Sequence, residues 1–236
     1  MKTTPVTENL IQLTRLRFVN AFLVREHDGF TLVDTTTGGA ADALIAAAEQ
    51  AGGAIRRIAL THGHGDHGGS LDTLKERLGD AVDVLMPDLD ARIHAGDHVV
   101  EGKVPGGWPT LRTVPDVRLA GGDRVGSLEV VATPGHTPGH VAFLDTRDGA
   151  LIAGDTFTAY GRLAVPSRLD PRFPFATMAT WDRAKTVESA RALRALEPAV
   201  LVVGDGPALR DPGAAMDGAI ARAGGAPARV GARAHA

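Results

Sequence analysis

Two β sheets packed inside two layers of helix form the α/β arrangement that this sequence predicts. Three observations point to it. Both ends of the chain read as strands followed by a helix, a β meander lies between them, and the runs at 57–60 and 200–203 read as short buried strands. At 236 residues the chain suits one large domain or two fused halves, and it can bury a substantial core.

The elements follow in order. Strand-like runs at Ile11–Val19 and Ala21–Arg25 come first, and after the turn Asp28-Gly29 a third covers Phe30–Asp34. An Ala-rich helix spans Ala40–Gln50 and stops at Gly52-Gly53. Arg57–Leu60 is a strand, and the segment from His62 to His67 follows it directly. Behind that segment Leu71, Leu74 and Leu78 share one helical face. A strand at Val82–Met86, a short helix at Asp88–Ala95 and a polar loop at Gly96–Thr113 lead into the meander, with strands at Val117–Leu119, Leu128–Thr133, His140–Leu144 and Ala150–Ala153. An irregular stretch runs from Thr156 to about Thr177. A helix at Ala179–Leu196 then carries Ala184, Val187, Ala190, Leu193 and Leu196 on one face. The last strand, Val200–Val203, ends in Gly204-Asp205-Gly206. Residues 1–220 read as a single domain, and 221–236, rich in Ala, Gly and Arg without apolar periodicity, as a flexible C-terminal tail.

Composition narrows the function. With 44% apolar and 22% charged residues the chain is globular. A net charge of −3 with no basic block argues against nucleic acid as a partner. There is no cysteine, so any metal must sit on histidine nitrogen and carboxylate oxygen. No run of about 18 apolar residues marks a membrane span, and Met1–Leu10 does not read as a signal peptide. The expectation is a cytoplasmic protein.

His62-Gly63-His64-Gly65-Asp66-His67 places three histidines and an aspartate within six residues. The glycines let the loop fold tightly, so that neighbouring side chains converge, and imidazole with carboxylate suits zinc, iron or nickel. One loop cannot complete such a site. Three further segments, each at a predicted strand end, offer donors: Pro134-Gly135-His136-Thr137-Pro138-Gly139-His140, Gly154-Asp155 and Gly204-Asp205-Gly206.

Together with Ala153-Gly154-Asp155-Thr156, these motifs resemble the metallo-β-lactamase-fold superfamily, over about Phe18 to Leu209. The stretch Ala176–Trp181 with Glu188-Ser189-Ala190 and Leu196-Glu197-Pro198 is similar to a bacterial subgroup of small hydrolases of unassigned substrate. The resemblance implies an αββα four-layer sandwich with a one- or two-metal site. By motif position His62, His64 and His136 would hold the first ion, Asp66 and His67 the second, and Asp155 would bridge them. His140 would support the site without ligating, and Asp34 would brace the histidine loop from behind.

One position departs from the family pattern. Asp205 stands where a histidine usually closes the second site. It either ligates through a harder oxygen or leaves that site weak. Two divalent ions are expected, zinc by family. A third carboxylate beside Asp66 and Asp155 would make the centre less positive, acidify water less and favour manganese or iron.

The ligand set points to hydrolysis of a small ester, lactone, thioester or amide, by attack of a metal-activated water on the carbonyl. Asp66 would orient the water or move its proton. Tyr160, the one tyrosine, is a candidate for stabilising the oxyanion or leaving group, set against a packing role. His94 and His98 read as surface or structural residues. Phe157, Tyr160, Phe173, Phe175 and Trp181, with Trp108 on the other long loop, are either an apolar wall for a mildly apolar substrate or anchors for irregular chain. Two other readings stand beside the hydrolase: an iron-dependent oxygenase like the superfamily's persulfide dioxygenases, and a non-catalytic metal-binding protein with a degenerate second site. The oligomeric state is not legible.

Overall fold

The computed structural model describes residues 1–224. Sheet A holds seven strands in sequential order: β1 (Lys2–Pro5), β2 (Leu10–Arg15), β3 (Val19–Glu26), β4 (Gly29–Val33), β5 (Ile55–Ala59), β6 (Asp83–Pro87) and β7 (Val117–Leu119). The first four are antiparallel, and β4 through β7 run parallel. Helices α1 (Ala41–Gln50), α2 (Gly65–Gly68), α3 (Leu71–Leu78) and α4 (Asp88–His94) connect these parallel strands, because parallel neighbours need crossovers. Sheet B has the order β13-β12-β11-β10-β9-β8, built from β8 (Arg124–Val125), β9 (Leu128–Ala132), β10 (Val141–Asp145), β11 (Ala150–Ile152), β12 (Val200–Val202) and β13 (Leu209–Arg210). Helices α5 (Pro174–Met178), α6 (Arg183–Ala195) and α7 (Gly213–Arg222) complete the chain.

Three apolar layers hold this together, and period-two alternation assigns residues to them. Leu23, which pairs with Leu32 across β3 and β4, joins Leu13, Ile58 and Val84 in a layer under Leu44 of α1 and Leu71 and Leu74 of α3. Phe22 and its partner Val33 face the other way, meeting Val130, Phe143, Ile152 and Val202 of sheet B. The opposite face of sheet B, with Ala142, Leu151 and Leu201, packs against Val187, Ala190 and Leu193 of α6 and Met216 and Ile220 of α7. The order helix, sheet, sheet, helix is the expected four-layer sandwich.

Several boundaries differ from the sequence reading, each for a local reason. The strand expected to run to Val19 stops at Arg15, because Leu16 and Arg17 take left-handed backbone at φ 50° and 75° and turn the chain into β3. The long helix begins at Arg183, not Ala179: the Asp182 carboxylate accepts from the Ala184 and Lys185 amides and caps it. Pro174–Met178 is a separate short helix inside the stretch read as irregular. β1, β8, β13 and α7 were not read from sequence; α7 runs through Arg222, past the expected start of the tail at 221, and residues 225–236 of that tail lie outside the described residues.

Candidate metal centre

The fold gathers the motifs at one edge. Asp34, His62 and Asp90 follow the parallel strands β4, β5 and β6, so they emerge on the same side. His136, Asp155 and Asp205 follow β9, β11 and β12 of the facing sheet. Two donor triples result, His62 with His64 and His136, and His62 with His67 and Asp155; within each, one atom per residue lies within 4.8 Å of the others.

The hydrogen-bond partners decide which nitrogen of each imidazole is bare. Thr180 Oγ1 donates to the Ala176 carbonyl at 2.7 Å, so at 3.0 Å it accepts the His136 Nδ1 proton and leaves Nε2 bare. The Pro105 carbonyl can only accept, so His64 is protonated on Nε2, 3.1 Å away, and bare on Nδ1. Those two bare nitrogens face each other at 3.1 Å. Opposed lone pairs at that distance repel unless a cation lies between them. His62 follows the same logic. Thr61 Oγ1 donates to Asp34 Oδ2 and accepts from His62 Nδ1, leaving a buried, unpartnered Nε2. His67 gives its Nδ1 proton to Asp34 Oδ2 at 2.8 Å, and its Nε2 points toward Asp155 Oδ1 at 3.4 Å. The other Asp155 oxygen lies 3.4 Å from His136 Nε2, so this carboxylate spans both triples.

Burial, with the neighbouring imidazoles, drives His62 and His136 well below the usual histidine range, and burial lowers His64 despite Asp66. These three are therefore neutral ligands-in-waiting. His67 differs. Burial lowers it, but Asp155, Asp34 and Asp66 together raise it well above the ordinary value, so without metal it holds a proton. Asp205 is raised well above the carboxylate range by burial and by Asp155. Its Oδ1, like those of Asp155, His62 Nε2 and His67 Nε2, is buried without a partner. Buried orphaned donor atoms of this kind on one edge fit a metal ion.

Of the residues expected from sequence, His62, His64, His67, His136 and Asp155 belong to the donor triples. Asp66 and Asp205 belong to neither, but both line the adjoining cavity of about 330 Å³ along with His64, His136, Asp155 and Phe175. Tyr160 is not among the residues lining that cavity; it is 46% exposed and packs edge-on to Phe18 and against Phe173. The aromatic set divides: Phe173 and Phe175 line the cavity, Phe157 is core, and Trp108 packs on His64 and His94. His94 donates to the Gly63 carbonyl at 2.9 Å, a structural contact. His140 accepts the Asp155 amide on Nε2 and gives its Nδ1 proton to Thr133, so it supports Asp155 from behind. Asp34 sits at φ 62°, left-handed backbone that a non-glycine residue adopts only under constraint.

A model of the metallo-beta-lactamase superfamily matches residues 14–205, most of the chain. The protein belongs to the metallo-beta-lactamase superfamily. Within the superfamily it is 41% identical to YobT of Bacillus subtilis (strain 168), over 87% of this chain and 90% of that one. It is 35% identical over 144 residues to a hydroxyacylglutathione hydrolase of Rhodopseudomonas palustris, and the match spans about half that relative's length, 49%, and 56% of this chain. Among solved structures, TTHA1623 in a di-iron-bound form matches with 28% identity and a TM-score of 0.64, over 86% of this chain and 94% of that one. A metallo-beta-lactamase from Pontibacter korlensis, 17% identical, shares the fold at a TM-score of 0.70, with 94% of this chain and 98% of that one covered.

Sequence reasoning missed two groups of residues. Thr61 and Thr180 fix histidine tautomers, but a threonine in a loop carries no signal of that role. Asp90 is fully buried and accepts from Gly63, Thr137 and Gly139. Burial lifts its carboxyl to about 6 against the pull of those three donors. Nothing in Asp88–His94 distinguishes it from a solvated helix start. Among the described residues no helix is long and apolar enough to cross a membrane.

Proposed function

We propose that the protein is a metal-dependent hydrolase of small, mildly apolar esters, lactones, thioesters or amides. The observation that carries this reading is the opposed pair of bare nitrogens, His64 Nδ1 and His136 Nε2, at the foot of an open cavity. His62, His64 and His136 would hold one ion, and His67 with Asp66, Asp155 and Asp205 a second, Asp155 serving both. When bound, a divalent pair supplies Lewis acidity toward a carbonyl oxygen and toward water.

The chain's own residues supply the rest. Asp66, half-buried at the cavity wall, can orient an incoming water and take its proton. Phe173, Phe175, Ala176 and Ala179 form an apolar side against which an acyl chain can lie and exclude water. A volume of about 330 Å³ favours a small substrate. The hydroxyacylglutathione hydrolase relatives support including thioesters.

A second reading, an iron-dependent oxygenase, is favoured by the extra carboxylate of Asp205 and by a structural relative described in a di-iron form. The test is a panel of esters, lactones, thioesters and amides offered to zinc-, manganese- and iron-loaded protein, with oxygen uptake followed in parallel on a persulfide. Acid release by wild type that is lost in His64→Ala supports hydrolysis. Oxygen uptake by the iron form without acid release supports the oxygenase. Wild type inert throughout, with Asp205→His gaining hydrolysis, establishes a degenerate site.

A further inference from the structure

Asp90 belongs to neither donor triple, yet three donors from two different loops converge on its carboxylate. Oδ2 accepts the Gly63 amide at 2.8 Å and the Thr137 hydroxyl at 2.6 Å, while Oδ1 accepts the Gly139 amide at 2.7 Å. Gly63 lies between His62 and His64; Thr137 and Gly139 flank His136 and His140. We propose that Asp90 is the positioning residue of the first metal site, a single buried side chain that joins the two histidine loops and sets the gap between His64 and His136. The proposal rests on the metal-centre reading above.

The packing makes this placement specific. A Cβ on Gly139 would lie 2.6 Å from Asp90 Oδ1, so glycine there is what admits the carboxylate. A side chain on Gly63 would collide with Trp108 and lie 2.8 Å from His94 Nε2. These motif glycines thus serve close approach as well as flexibility. Asp90 itself is anchored: α4 follows directly on β6, and its neighbour Ala91 is buried in the layer that holds Leu60 and Met86. The Val141 amide donates to the Thr61 carbonyl, a backbone link between the two loops, and Asp90 adds a side-chain link between them. The second triple has further braces of its own, Asp34 on His67 and His140 on Asp155, so loss of Asp90 should fall mainly on the first site.

Asp90→Asn keeps the shape and breaks the arrangement. An amide oxygen turned to Gly63 and Thr137 leaves the amide NH2 against the Gly139 N–H, and the flipped amide opposes the Gly63 N–H. Either way one loop amide, that of Gly139 or that of Gly63, loses its acceptor. The experiment is stepwise Co²⁺ titration of chelator-stripped protein, read by the visible ligand-field bands, with far-UV circular dichroism as the fold control. Wild type should bind two ions. Asp90→Asn should bind the first about 10–100-fold more weakly, the usual effect of losing a group that orients ligands, with the second ion changed less than about 3-fold. Thr137→Val removes one donor and leaves the carboxylate; it should weaken the first ion in the same direction, and it decides the matter if Asp90→Asn fails to fold. Folded Asp90→Asn with wild-type titration and spectrum overturns the proposal, as does an unfolded Asp90→Asn together with an unchanged Thr137→Val. Wild type that takes up no Co²⁺ overturns the metal-centre reading and this proposal together.

Discussion

Removing metal should lower the melting temperature by an amount that the site and the chain length determine. The donor edge buries His62 Nε2 and Asp205 Oδ1 without partners and opposes two lone pairs at 3.1 Å. A ligand bound only by the folded state adds about 4 kcal/mol at a thousand times its Kd. At an unfolding entropy of about 2 cal/mol/K per residue, a chain of 236 residues has roughly 0.5 kcal/mol/K in all, so each occupied site is worth about 8 °C. Differential scanning calorimetry of chelator-stripped protein, with and without zinc or manganese, measures the shift directly. His64→Ala removes one of the opposed nitrogens and should abolish the part of the response that belongs to the first site, while the metal-free transition stays cooperative. A wild-type shift under about 1 °C at saturating metal, or a full response in His64→Ala, would refute the assignment of these nitrogens as ligands.

Further predictions concern the second site and its supports. Asp205→Ala should weaken the second ion at least about 10-fold and spare the first, read by metal stoichiometry after dialysis; unchanged retention of both ions would show that Asp205 does not ligate. Gly204→Ala would drive a methyl into Asp155 Oδ1 and to 2.6 Å from His67 Cε1. It should cost about 1–3 kcal/mol by urea denaturation and lose the second ion. His140, fully buried, is held down to about 3, by burial first and then by His67 and His64. Its folded value lies below its unfolded one, so protonation favours the unfolded chain, and its contribution is lost as the pH falls from about 6.5 toward 3. Measured without metal, the stability gap between wild type and His140→Gln should shift by about 2 kcal/mol against wild type between pH 6.5 and 5.0, at about 1.4 kcal/mol per pH unit. A gap independent of pH would mean that His140 titrates normally.

How much of this the sequence disclosed depended on whether a residue acts through its type or through its place. His62, His64, His67, His136 and Asp155 were legible because a dense set of histidines and an aspartate at strand ends has few other uses, and the donor triples contain these five. The core strands were legible as short apolar runs, because both faces of a strand such as β3 are buried, Leu23 toward one layer and Phe22 toward the other. The two-residue strands β8 and β13 were not, since so short a run shows no period. Thr61, Thr180 and Asp90 were also hidden. Thr180 and Asp90 matter only because tertiary structure sets them beside a histidine or a loop amide distant in sequence, as Asp90 is 49 residues from Gly139, and Thr61, next to His62 in the chain, is fixed as an acceptor by the distant Asp34. Asp205 falls between these cases: its motif position was clear, but only the fold shows its Oδ1 buried and unpartnered.

The threonines and buried aspartates together fix the tautomers on which such a site depends. An unligated imidazole is free to choose its tautomer, and choosing the wrong one blocks the ligand nitrogen. Here each choice is made from outside, Thr180 for His136, Pro105 for His64 and Thr61 for His62, while Asp34 holds Nδ1 of His67. The holding groups come from different elements, and Asp34 does so from strained left-handed backbone at φ 62°. The sandwich therefore fixes these tautomers through its own packing and presents the bare nitrogens together on one edge. In small metal-nucleated folds the ion must also order the chain. In this protein three packed layers order the chain by themselves, so loss of a donor such as His64 should lower the melting temperature without removing the fold.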